Sequence, residues 1–423
     1  MNKTYKVSDL GEKELINRII TKTQECSNIN CNFNNSFDFN PNSNSLNSTF
    51  KSNFQNYKSN SFQNNFKTTI GDDSALIEHG LDENSYLVAS SDMLIQSTHF
   101  PEAMTYYQMG YKSVVVNVSD LAAMGSRPIG LLLSLAIPKD LLLDDFDELI
   151  CGIITACNDY QIPLIGGDTN EAKEIIISAT VLGESRKGTE LMKHGFKEGD
   201  LIAITGELGL AALGFELLNN KDKLNKAIKI DPTFVDLAIY KALKPKARQL
   251  ESFILTKYQN KKNYRSSKSS HQASKIHISA TDITDGLASE LYELLKRDKQ
   301  YNQSIDSTQK YTKGIRIYEE SLPIEKEFKE ISKAIGLNYL DLFFHIGEDF
   351  ELLFTIPKDF KDILKEELDF FIIGEIINTE NSLSEEQLSK NSTQIENDFT
   401  LEMVLSNGKL YIISPKGYQH LTD

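Results

Sequence analysis

The sequence predicts an α+β fold divided into two domains, and two observations support this prediction. The chain has 423 residues, which is enough for two ordinary domains with separate cores. Segments with helical and strand-like apolar patterns also alternate along most of its length. The first alternating block ends at about Leu182. We therefore expect an N-terminal domain at 1–182 and a C-terminal domain at 183–423.

The most informative stretch is residues 110–138, GYKSVVVNVSDLAAMGSRPIGLLLSLAIP. Its apolar content predicts a core helix from Tyr111 to Met124, followed by a strand from Ile129 to Ile137. Asn117 and Asp120 are three residues apart, so they share one face of this helix. The predicted core helix therefore carries two polar side chains on one side.

Two interpretations of Asp120 remain open at this point. Burying an unpaired carboxylate costs on the order of several kcal/mol, so Asp120 would need a cation, hydrogen-bond donors or a water-filled cleft. Alternatively, Ser119 or Asp120 caps a second, shorter helix. The spacing of the residues fits both interpretations.

The remaining elements are predicted from periodicity and from turn residues. In the first domain we expect a helix at Val7–Thr23, a disordered Asn- and Ser-rich insert at about 27–67, a strand ending at Asp92, a helix at Leu143–Tyr160, a Gly-Gly-Asp turn in LIGGDTN, and a strand at Glu174–Glu184. In the second we expect a strand at Leu201–Thr205, a helix at Leu210–Leu218, a helical stretch at Phe234–Leu255 broken at Pro245, polar inserts at about 258–272 and 299–313, a strand leading to Asp282, a helix starting near Gly286, a strand after Asp349, a helix at Phe360–Glu367, and closing strands at 370–376 and 410–415.

The glycine-spaced turn before Leu210 can present backbone N–H groups and a helix N-terminus to an anion. Its spacing matches neither a P-loop nor a dinucleotide-binding fingerprint. The signal alone is weak, and simple tight packing of the turn is the favoured explanation of the glycines. A phosphate site at this turn is therefore only one of two hypotheses.

The composition excludes several classes of protein. The formal net charge of −15 argues against nucleic acid or an anionic membrane as the main partner. Cys26, Cys31, Cys151 and Cys157 show no zinc or disulfide spacing, so we expect a reducing cytoplasm. No apolar run approaches the roughly 20 residues of a membrane span, and no signal peptide opens the chain. We expect a cytoplasmic protein.

Acidic residues stand beside Gly, Ser or Thr at six places, mostly at predicted strand ends. Each place alone is typical of a turn or a helix cap. Converging carboxylates would repel one another unless hard cations held them, and oxygen ligands without His or Cys suit Mg²⁺, which usually accompanies phosphate. The sequence therefore favours an ATP-dependent kinase. The six places are Asp72 with Asp73, Asp92, Asp120, Asp168, Asp282 with Asp285, and Glu348 with Asp349.

Eight ordered motifs also resemble the thiamine-monophosphate kinase family, within the superfamily of aminoimidazole ribonucleotide synthetase. They cover both halves of the chain and miss only the polar inserts. The motifs are GDDSALIE, SSDMLIQSTHF, NVSDLAAMGSRPIGLLLSLAIP, LIGGDTN, GDLIAITGELG, DITDGLASEL, IGEDFELLFTIP and KGYQH.

The resemblance implies ATP- and Mg²⁺-dependent phosphorylation of thiamine monophosphate to thiamine diphosphate. It also implies a homodimer whose N-terminal sheets pair, with ATP held between the domains. Several Mg²⁺ ions would be bound by Asp73, Ser90, Ser91, Asp92, Asp120, Asp168, Asp282 and Asp285. The nucleotide would be met by Gly167, Asp168, Lys193 and Thr284, and thiamine monophosphate by His99, Glu348 and Tyr418.

The chemistry of this reaction agrees with the residues present. The attacking phosphate monoester is already ionised near neutral pH, since its second pKa is about 6. No general base is needed, and none stands out. The chain departs from the family pattern at Lys193, where Arg is usual, at Leu210, where Asp is usual, and at Thr284, where Ser is usual.

Two other functions remain as alternatives. A sister ATP-dependent enzyme of the same superfamily would use a similar cleft, although no cysteine lies in a motif here. A non-catalytic nucleotide-binding regulator would fit the departures at Lys193 and Leu210. A purely structural protein would leave the acidic cluster unexplained.

Overall fold

The structure is a computed structural model that describes residues 5–27, 72–78, 82–261, 275–308, 310–380, 399–415 and 417. Most of the predicted insert at 27–67, residues 262–272 of the second predicted insert, and Tyr418 lie outside these ranges. Within them, no helix is long and apolar enough to cross a membrane.

The described residues form an α+β structure. The helices are α1 (Glu12–Ser27), α2 (Gln96–His99), α3 (Tyr106–Ala123), α4 (Leu143–Asp159), α5 (Leu210–Leu218), α6 (Lys221–Ile228), α7 (Pro232–Leu243), α8 (Gln249–Tyr258), α9 (Leu287–Ile305), α10 (Lys326–Ala334), α11 (Tyr339–His345) and α12 (Lys361–Leu364). The strands are β1 (Ala75–Ile77), β2 (Ser85–Ile95), β3 (Arg127–Ile137), β4 (Leu164–Glu171), β5 (Ile176–Arg186), β6 (Leu201–Ile204), β7 (Ser279–Asp282), β8 (Lys313–Tyr318), β9 (Leu352–Ile356), β10 (Phe371–Asn378), β11 (Leu401–Val404) and β12 (Leu410–Ile412).

The first sheet has five strands in the order β1-β2-β5-β3-β4. β3 and β4 are parallel, and the other neighbours are antiparallel. Along β3, buried Leu133 and Leu135 alternate with exposed Leu132 and Ser134. The buried side packs against the apolar faces of α3 and α4. The other face of the sheet is not covered by the parts of the chain that the structure describes.

Helices α3 and α4 touch through their backbones at two glycines. A Cβ atom at Gly110 would lie 2.1 Å from the carbonyl oxygen of Leu149, and one at Gly152 would lie 1.9 Å from that of Tyr107. Any larger residue would push the helices apart. This contact fixes α3 both along its axis and around it.

The second sheet has seven strands in the order β12-β11-β8-β10-β6-β9-β7. Only β8 and β11 form a parallel pair among its described strands. The apolar side of α9 packs on one face, where Leu291 and Leu294 meet Ile315. On another face, Ala122 and Ala123 of α3 share an apolar cluster with β6 and β9. The end of α3 is therefore buried between the two sheets.

Most predicted elements are confirmed, with shifts of a few residues at their ends. The alternative that Ser119 or Asp120 caps a second helix is wrong, because α3 continues without a break to Ala123. The predicted helix at 360–367 is shorter, because α12 ends at Leu364. The strands β1, β8 and β11 and the helices α2, α6, α10 and α11 were not predicted.

Two other predictions need correction. LIGGDTN is part of the edge strand β4 rather than a turn, and its glycines allow the strand to approach β3 closely. A Cβ atom at Gly167 would lie only 1.7 Å from the carbonyl oxygen of Leu133. The polar insert predicted at 299–313 is wrong in its first half, because α9 continues to Ile305. Its polar residues lie on the exposed side of an amphipathic helix.

Candidate active site

The C-terminal half of α3 forms two hydrogen bonds with β2. Ser90 of β2 donates a hydrogen bond from Oγ to Oδ2 of Asp120. Two residues further along β2, the backbone N–H of Asp92 donates to Oδ1 of Asn117 over 3.2 Å. Ser90 and Asp92 share one face of β2 because side chains alternate along a strand. The polar face predicted for α3 therefore meets a polar face of β2.

A buried lysine lies among a second group of acids. Lys193 Nζ is 2.6 Å from Asp73 Oδ1 and 3.7 Å from Glu290 Oε2. Thr281 Oγ1 lies 3.3 Å from the same Glu290 oxygen and 3.4 Å from Asp73 Oδ1. Burial opposes the charged form of the lysine, but Asp73 and Glu290 outweigh it and raise the pKa of Lys193. The lysine thus neutralises part of the charge of this group.

The acids around Asp120 and the acids around Lys193 form one electrostatic cluster, because charges of one group shift the pKa values of the other. Burial, then the charges of Asp282, Asp92 and Asp73, raises the pKa of Asp120 well above its usual value. Burial and Asp73 raise the pKa of Asp282 to about 7, and burial and Asp285 raise the pKa of Asp92. Like charges in a poorly solvated place favour protonation or a bound cation.

Two further acids next to this cluster show the same effect. Burial raises the pKa of Glu290 to about 8, with Asp73, Asp282 and Asp285 acting in the same direction against Lys193. Burial and Asp73 raise the pKa of Asp72 to about 6. The negative charge therefore extends from the first sheet to the start of α9.

The donor atoms of the cluster fit a hard divalent cation. Within the described ranges, no three His, Cys, Asp or Glu side chains already form a metal centre. However, the buried oxygens Asp72 Oδ1, Asp73 Oδ2 and Asp282 Oδ2 accept no hydrogen bond. Buried carboxylate oxygens rarely stay unpaired in proteins, and Mg²⁺ prefers such ligands. The cluster can thus bind magnesium once the carboxylates adjust.

The structure does not bring Ser91 to this cluster through its side chain. Ser91 Oγ lies 3.1 Å from the carbonyl oxygen of Ala179 and 2.9 Å from Thr180 Oγ1. These contacts place the hydroxyl on the face of β2 opposite to Ser90. The Ser91 hydroxyl therefore does not reach this cluster within one chain, and its role as a metal ligand stays a prediction.

Asp168 is also separate from the cluster within one chain. In the strand register, Asp92 of β2 pairs with Ala179 of β5, Ala179 pairs with Leu133 of β3, and Leu133 pairs with Gly167 of β4. Gly167 is therefore three strand spacings, or roughly 14 Å, from Asp92. Asp168 itself aligns with Ser134, on the uncovered face of the sheet. Asp92 and Asp168 thus lie on opposite faces.

The predicted substrate residues His99 and Glu348 lie near each other because both contact Lys112. Lys112 Nζ pairs with Glu348 Oε2 and donates to the carbonyl oxygen of His99 over 3.0 Å. The backbone N–H of Glu348 donates to the carbonyl oxygen of Thr284 over 2.8 Å. The IGEDF segment therefore packs directly on the Asp282–Asp285 turn. Tyr418 lies outside the described residues.

A cavity of about 270 Å³ opens beside Glu348. Its wall combines acids with basic residues from the α7–α8 connection, where Arg248 binds Glu351 through two hydrogen bonds of 2.6 and 2.5 Å. Such a mixed lining suits a ligand that carries charges of both signs. The cavity residues include Glu207, Tyr240, Lys241, Lys244, Arg248 and Glu348.

The turn before α5 already donates a hydrogen bond to a carboxylate of the same chain. Both carboxylate oxygens of Asp349 lie 3.1 Å from the backbone nitrogen of Gly209, which caps this helix. Asp349 is half-buried, and desolvation raises its pKa well above the usual value despite the hydrogen bond from Gly209. Leu210 is buried in an apolar cluster. The hypothesis of a phosphate site at this helix N-terminus is therefore wrong.

Sequence reasoning missed Lys112 and Glu290. Lys112 occurs in an otherwise apolar helix, and a charged residue in such a place could have been flagged as paired. Glu290 follows Gly286 by one helical turn, so the start of a helix next to two aspartates was the available signal. Neither signal identifies the partner residue.

Comparisons with known proteins agree with this fold. The family model described as AIR synthase related protein, N-terminal domain, matches residues 71–185. The thiamine-monophosphate kinase of Pyrococcus horikoshii is 33% identical over 309 residues, covering 73% of this chain and 82% of its own. That of Buchnera aphidicola subsp. Schizaphis graminum is 36% identical over 291 residues, covering 68% and 76%.

A solved structure, AaThiL complexed with AMPPCP and TMP, superposes with a TM-score of 0.61 at 27% identity. The match covers 83% of this chain and 92% of that one. The two-sheet fold and the carboxylate cluster place this chain in the class of AIR synthase-related proteins. Within that class, the chain belongs to the thiamine-monophosphate kinase family.

Proposed function

We propose that this protein transfers the γ-phosphoryl group of ATP to the phosphate of thiamine monophosphate, giving thiamine diphosphate and ADP. One observation carries the proposal: carboxylates from both sheets meet at the end of α3 with raised pKa values and unpaired buried oxygens. Such a cluster suits metal-bound phosphates, since phosphoryl transfer depends on positioning and on neutralising charge.

The proposed metal ligands are the acids of this cluster. Asp73, Asp92, Asp120, Asp282 and Asp285 would bind several Mg²⁺ ions, with Ser90 donating a hydrogen bond to Asp120. Ser90, Ser91 and Asp168 are proposed as further ligands from the resemblance to the family. When bound, Mg²⁺ would neutralise the phosphate oxygens and align the two phosphates for in-line transfer. The chain itself holds these carboxylates in a buried place, where charges interact strongly.

The proposed nucleotide contacts are Gly167, Asp168, Lys193 and Thr284. Asp168 is proposed as a nucleotide contact as well as a metal ligand, and within one chain it lies across the sheet from Asp92. Lys193 is fixed by Asp73 and Glu290, so its charge would act on phosphate from within the cluster. Within one chain Asp168 and Lys193 lie on opposite sides of the first sheet, so one nucleotide would contact both only where residues of two subunits contribute.

The thiamine part of the acceptor would bind at His99, Glu348 and Tyr418, beside the mixed-charge cavity. Thiamine is a cation, so the Glu348 carboxylate offers it an attractive charge. No general base is assigned, because the attacking phosphate oxygen is already ionised. The chain therefore acts by binding and orienting both phosphates and by excluding water.

We also propose a homodimer formed through the uncovered face of the first sheet, and a cytoplasmic location. Met93, Ile129, Leu132 and Ile165 are exposed large apolar side chains on the strands of this sheet. Contiguous exposed apolar residues on a sheet face are typical of an interface. Pairing two copies of this face would bury them.

The test is ADP release from purified protein with ATP and Mg²⁺, with and without thiamine monophosphate, alongside chromatographic detection of thiamine diphosphate. We expect thiamine diphosphate to appear in step with ADP. Binding of ATP without turnover would favour a non-catalytic regulator. ADP release only with another acceptor would favour a sister enzyme of the same class.

A further inference from the structure

Lys112 is a fully buried charged side chain, with a relative exposure of 0%. It lies in the first half of α3, where its Nζ is 5.8 Å from the ring centroids of both Phe100 and Phe215. Burying an ammonium group among rings is unfavourable unless its charge is compensated. Neighbouring groups must therefore compensate the charge of the Lys112 ammonium.

These two contacts join segments that belong to different sheets. The carbonyl oxygen of His99 accepts a hydrogen bond from Nζ over 3.0 Å and belongs to the end of α2, next to β2 of the first sheet. The Glu348 carboxylate pairs with the same Nζ and lies just before β9 of the second sheet. One ammonium thus sets the relative position of two segments that are distant in sequence.

Glu348 is held in a backbone conformation that most residues avoid. Its φ is +71°, and that of Phe350 is +53°. One oxygen of Glu348 pairs with Lys112, while 32% of the side chain stays exposed and lines the cavity. The ion pair therefore fixes a carboxylate that is still accessible to a ligand.

We propose that Lys112 is a positioning residue that orients Glu348 and the His99 segment for the cationic thiamine part of the acceptor. This inference rests on the proposed function. Because Lys112 is covered completely, it would act through Glu348 and His99 and would not touch the substrate. Its loss should weaken acceptor binding and leave nucleotide binding unchanged.

The first experiment compares Lys112→Met with Lys313→Met. Lys313 is a matched control, because its Nζ also pairs with a fully buried acid, Asp298, at 2.6 Å and lies 5.0 Å from the ring centroid of Phe196. Calorimetry measures the binding of thiamine monophosphate and of a non-hydrolysable ATP analogue to each protein. We expect Lys112→Met to weaken acceptor binding at least about tenfold, a loss of about 1.4 kcal/mol, and to keep nucleotide binding within about twofold.

Steady-state kinetics should also show an effect on the acceptor and none on the nucleotide. For Lys112→Met, KM for thiamine monophosphate should rise about as much as the dissociation constant, with a smaller change in kcat. Lys313→Met should lower thermal stability without changing either affinity. Unchanged acceptor binding in Lys112→Met, or equal losses for acceptor and nucleotide, would overturn the proposal.

A second pair of variants covers the case in which Lys112→Met does not fold. Glu348→Gln removes the charge on which Lys112 acts, so the double variant Lys112→Met/Glu348→Gln leaves no unpaired buried charge. We expect its acceptor affinity to lie only slightly below that of Glu348→Gln alone, since only the contact of Lys112 with the His99 carbonyl oxygen remains to be lost. A clear further loss in the double variant would contradict the proposal.

If the unmodified protein binds no thiamine monophosphate, the proposed function itself fails. The binding series shows this before any variant is compared.

Discussion

Glu348 and Asp349 are neighbours in the chain, yet their carboxylates bind different elements. Glu348 pairs with Lys112 of α3, whereas Asp349 accepts a hydrogen bond from the backbone of Gly209 at the start of α5. The left-handed φ of Glu348 turns the backbone between these two directions. One short segment thus links the acceptor cavity to the helix that packs behind it.

Replacing Asp349 tests this link. Asp349→Ala should lower the free energy of unfolding by about 1–2 kcal/mol, because the start of α5 loses its cap. It should also weaken binding of thiamine monophosphate, since the segment that carries Glu348 loses its anchor. Asp231→Ala is the control, because Asp231 caps α7 in the same way through Phe234 N at 2.9 Å. A variant with normal stability and affinity would exclude the anchoring role.

Asp282→Asn should abolish turnover, with a loss of at least about 10²-fold, and should leave the fold intact. Burial, and then the charge of Asp73, raises the pKa of Asp282, so removing its charge relieves both the burial cost and the repulsion in the metal-free protein. Asp120→Asn should behave alike. We expect thermal unfolding without Mg²⁺ to occur at the same or a higher temperature.

Mg²⁺ should stabilise the unmodified protein more than Asp282→Asn in the same thermal unfolding experiment. Asp222→Asn, which changes an exposed acid on α6, serves as the control. Full turnover in either cluster variant would refute the metal assignment.

Lys193→Met should be strongly destabilising. Removing one partner of a buried ion pair typically costs about 3–5 kcal/mol, and here Asp73 and Glu290 would both lose their cation. The double variant Lys193→Met/Glu290→Gln should be more stable than Lys193→Met alone, because one buried charge is also removed. Chemical denaturation measures both. Equal stability of the single variant and the unmodified protein would show that the lysine is not needed to balance this charge.

His277 should make stability depend on pH in a defined direction. Burial, with Lys197 and Lys275 nearby, lowers its pKa, although the His194 carbonyl and Asp298 act in the opposite direction. A lowered folded pKa means that the unfolded state binds the proton more tightly. Stability is therefore complete above the ordinary pKa of about 6.5 and is lost as pH falls below it.

The loss due to His277 cannot exceed about 1.4 kcal/mol per pH unit for a single proton. Denaturation at pH 7.5 and 5.5 should show a smaller decrease for His277→Gln, which can still donate to the His194 carbonyl oxygen. An identical decrease in the variant would mean that other groups are responsible.

Leu132→Asp should convert the proposed dimer into a monomer, since it places a charge on the uncovered face of the first sheet. Leu250→Asp is the matched control, because Leu250 on α8 is 70% exposed. Light scattering after size-exclusion chromatography measures the mass of each. A monomeric unmodified protein, or a dimeric Leu132→Asp variant, would contradict the proposed interface.

Local patterns in the sequence were sufficient for the elements that carry the carboxylates. The shared face of Asn117 and Asp120 was predicted from helical spacing, and the strand before Asp282 from its apolar run. Which acids meet was not predictable in this way. The Lys112–Glu348 pair spans residues that are far apart in sequence, and only packing of the two sheets brings them together. The same holds for Asp168, whose face depends on the register of β4.

The glycine contact between α3 and α4 has a consequence for how this chain can change over evolutionary time. Inserting or deleting one residue in α3 would rotate everything beyond it by about 100° and shift it by about 1.5 Å. Gly110 fixes the first half of the helix against α4, so slippage could not absorb the change. Lys112 and Asp120 would then no longer share their present orientation. We expect related sequences to vary in length almost anywhere except within this helix.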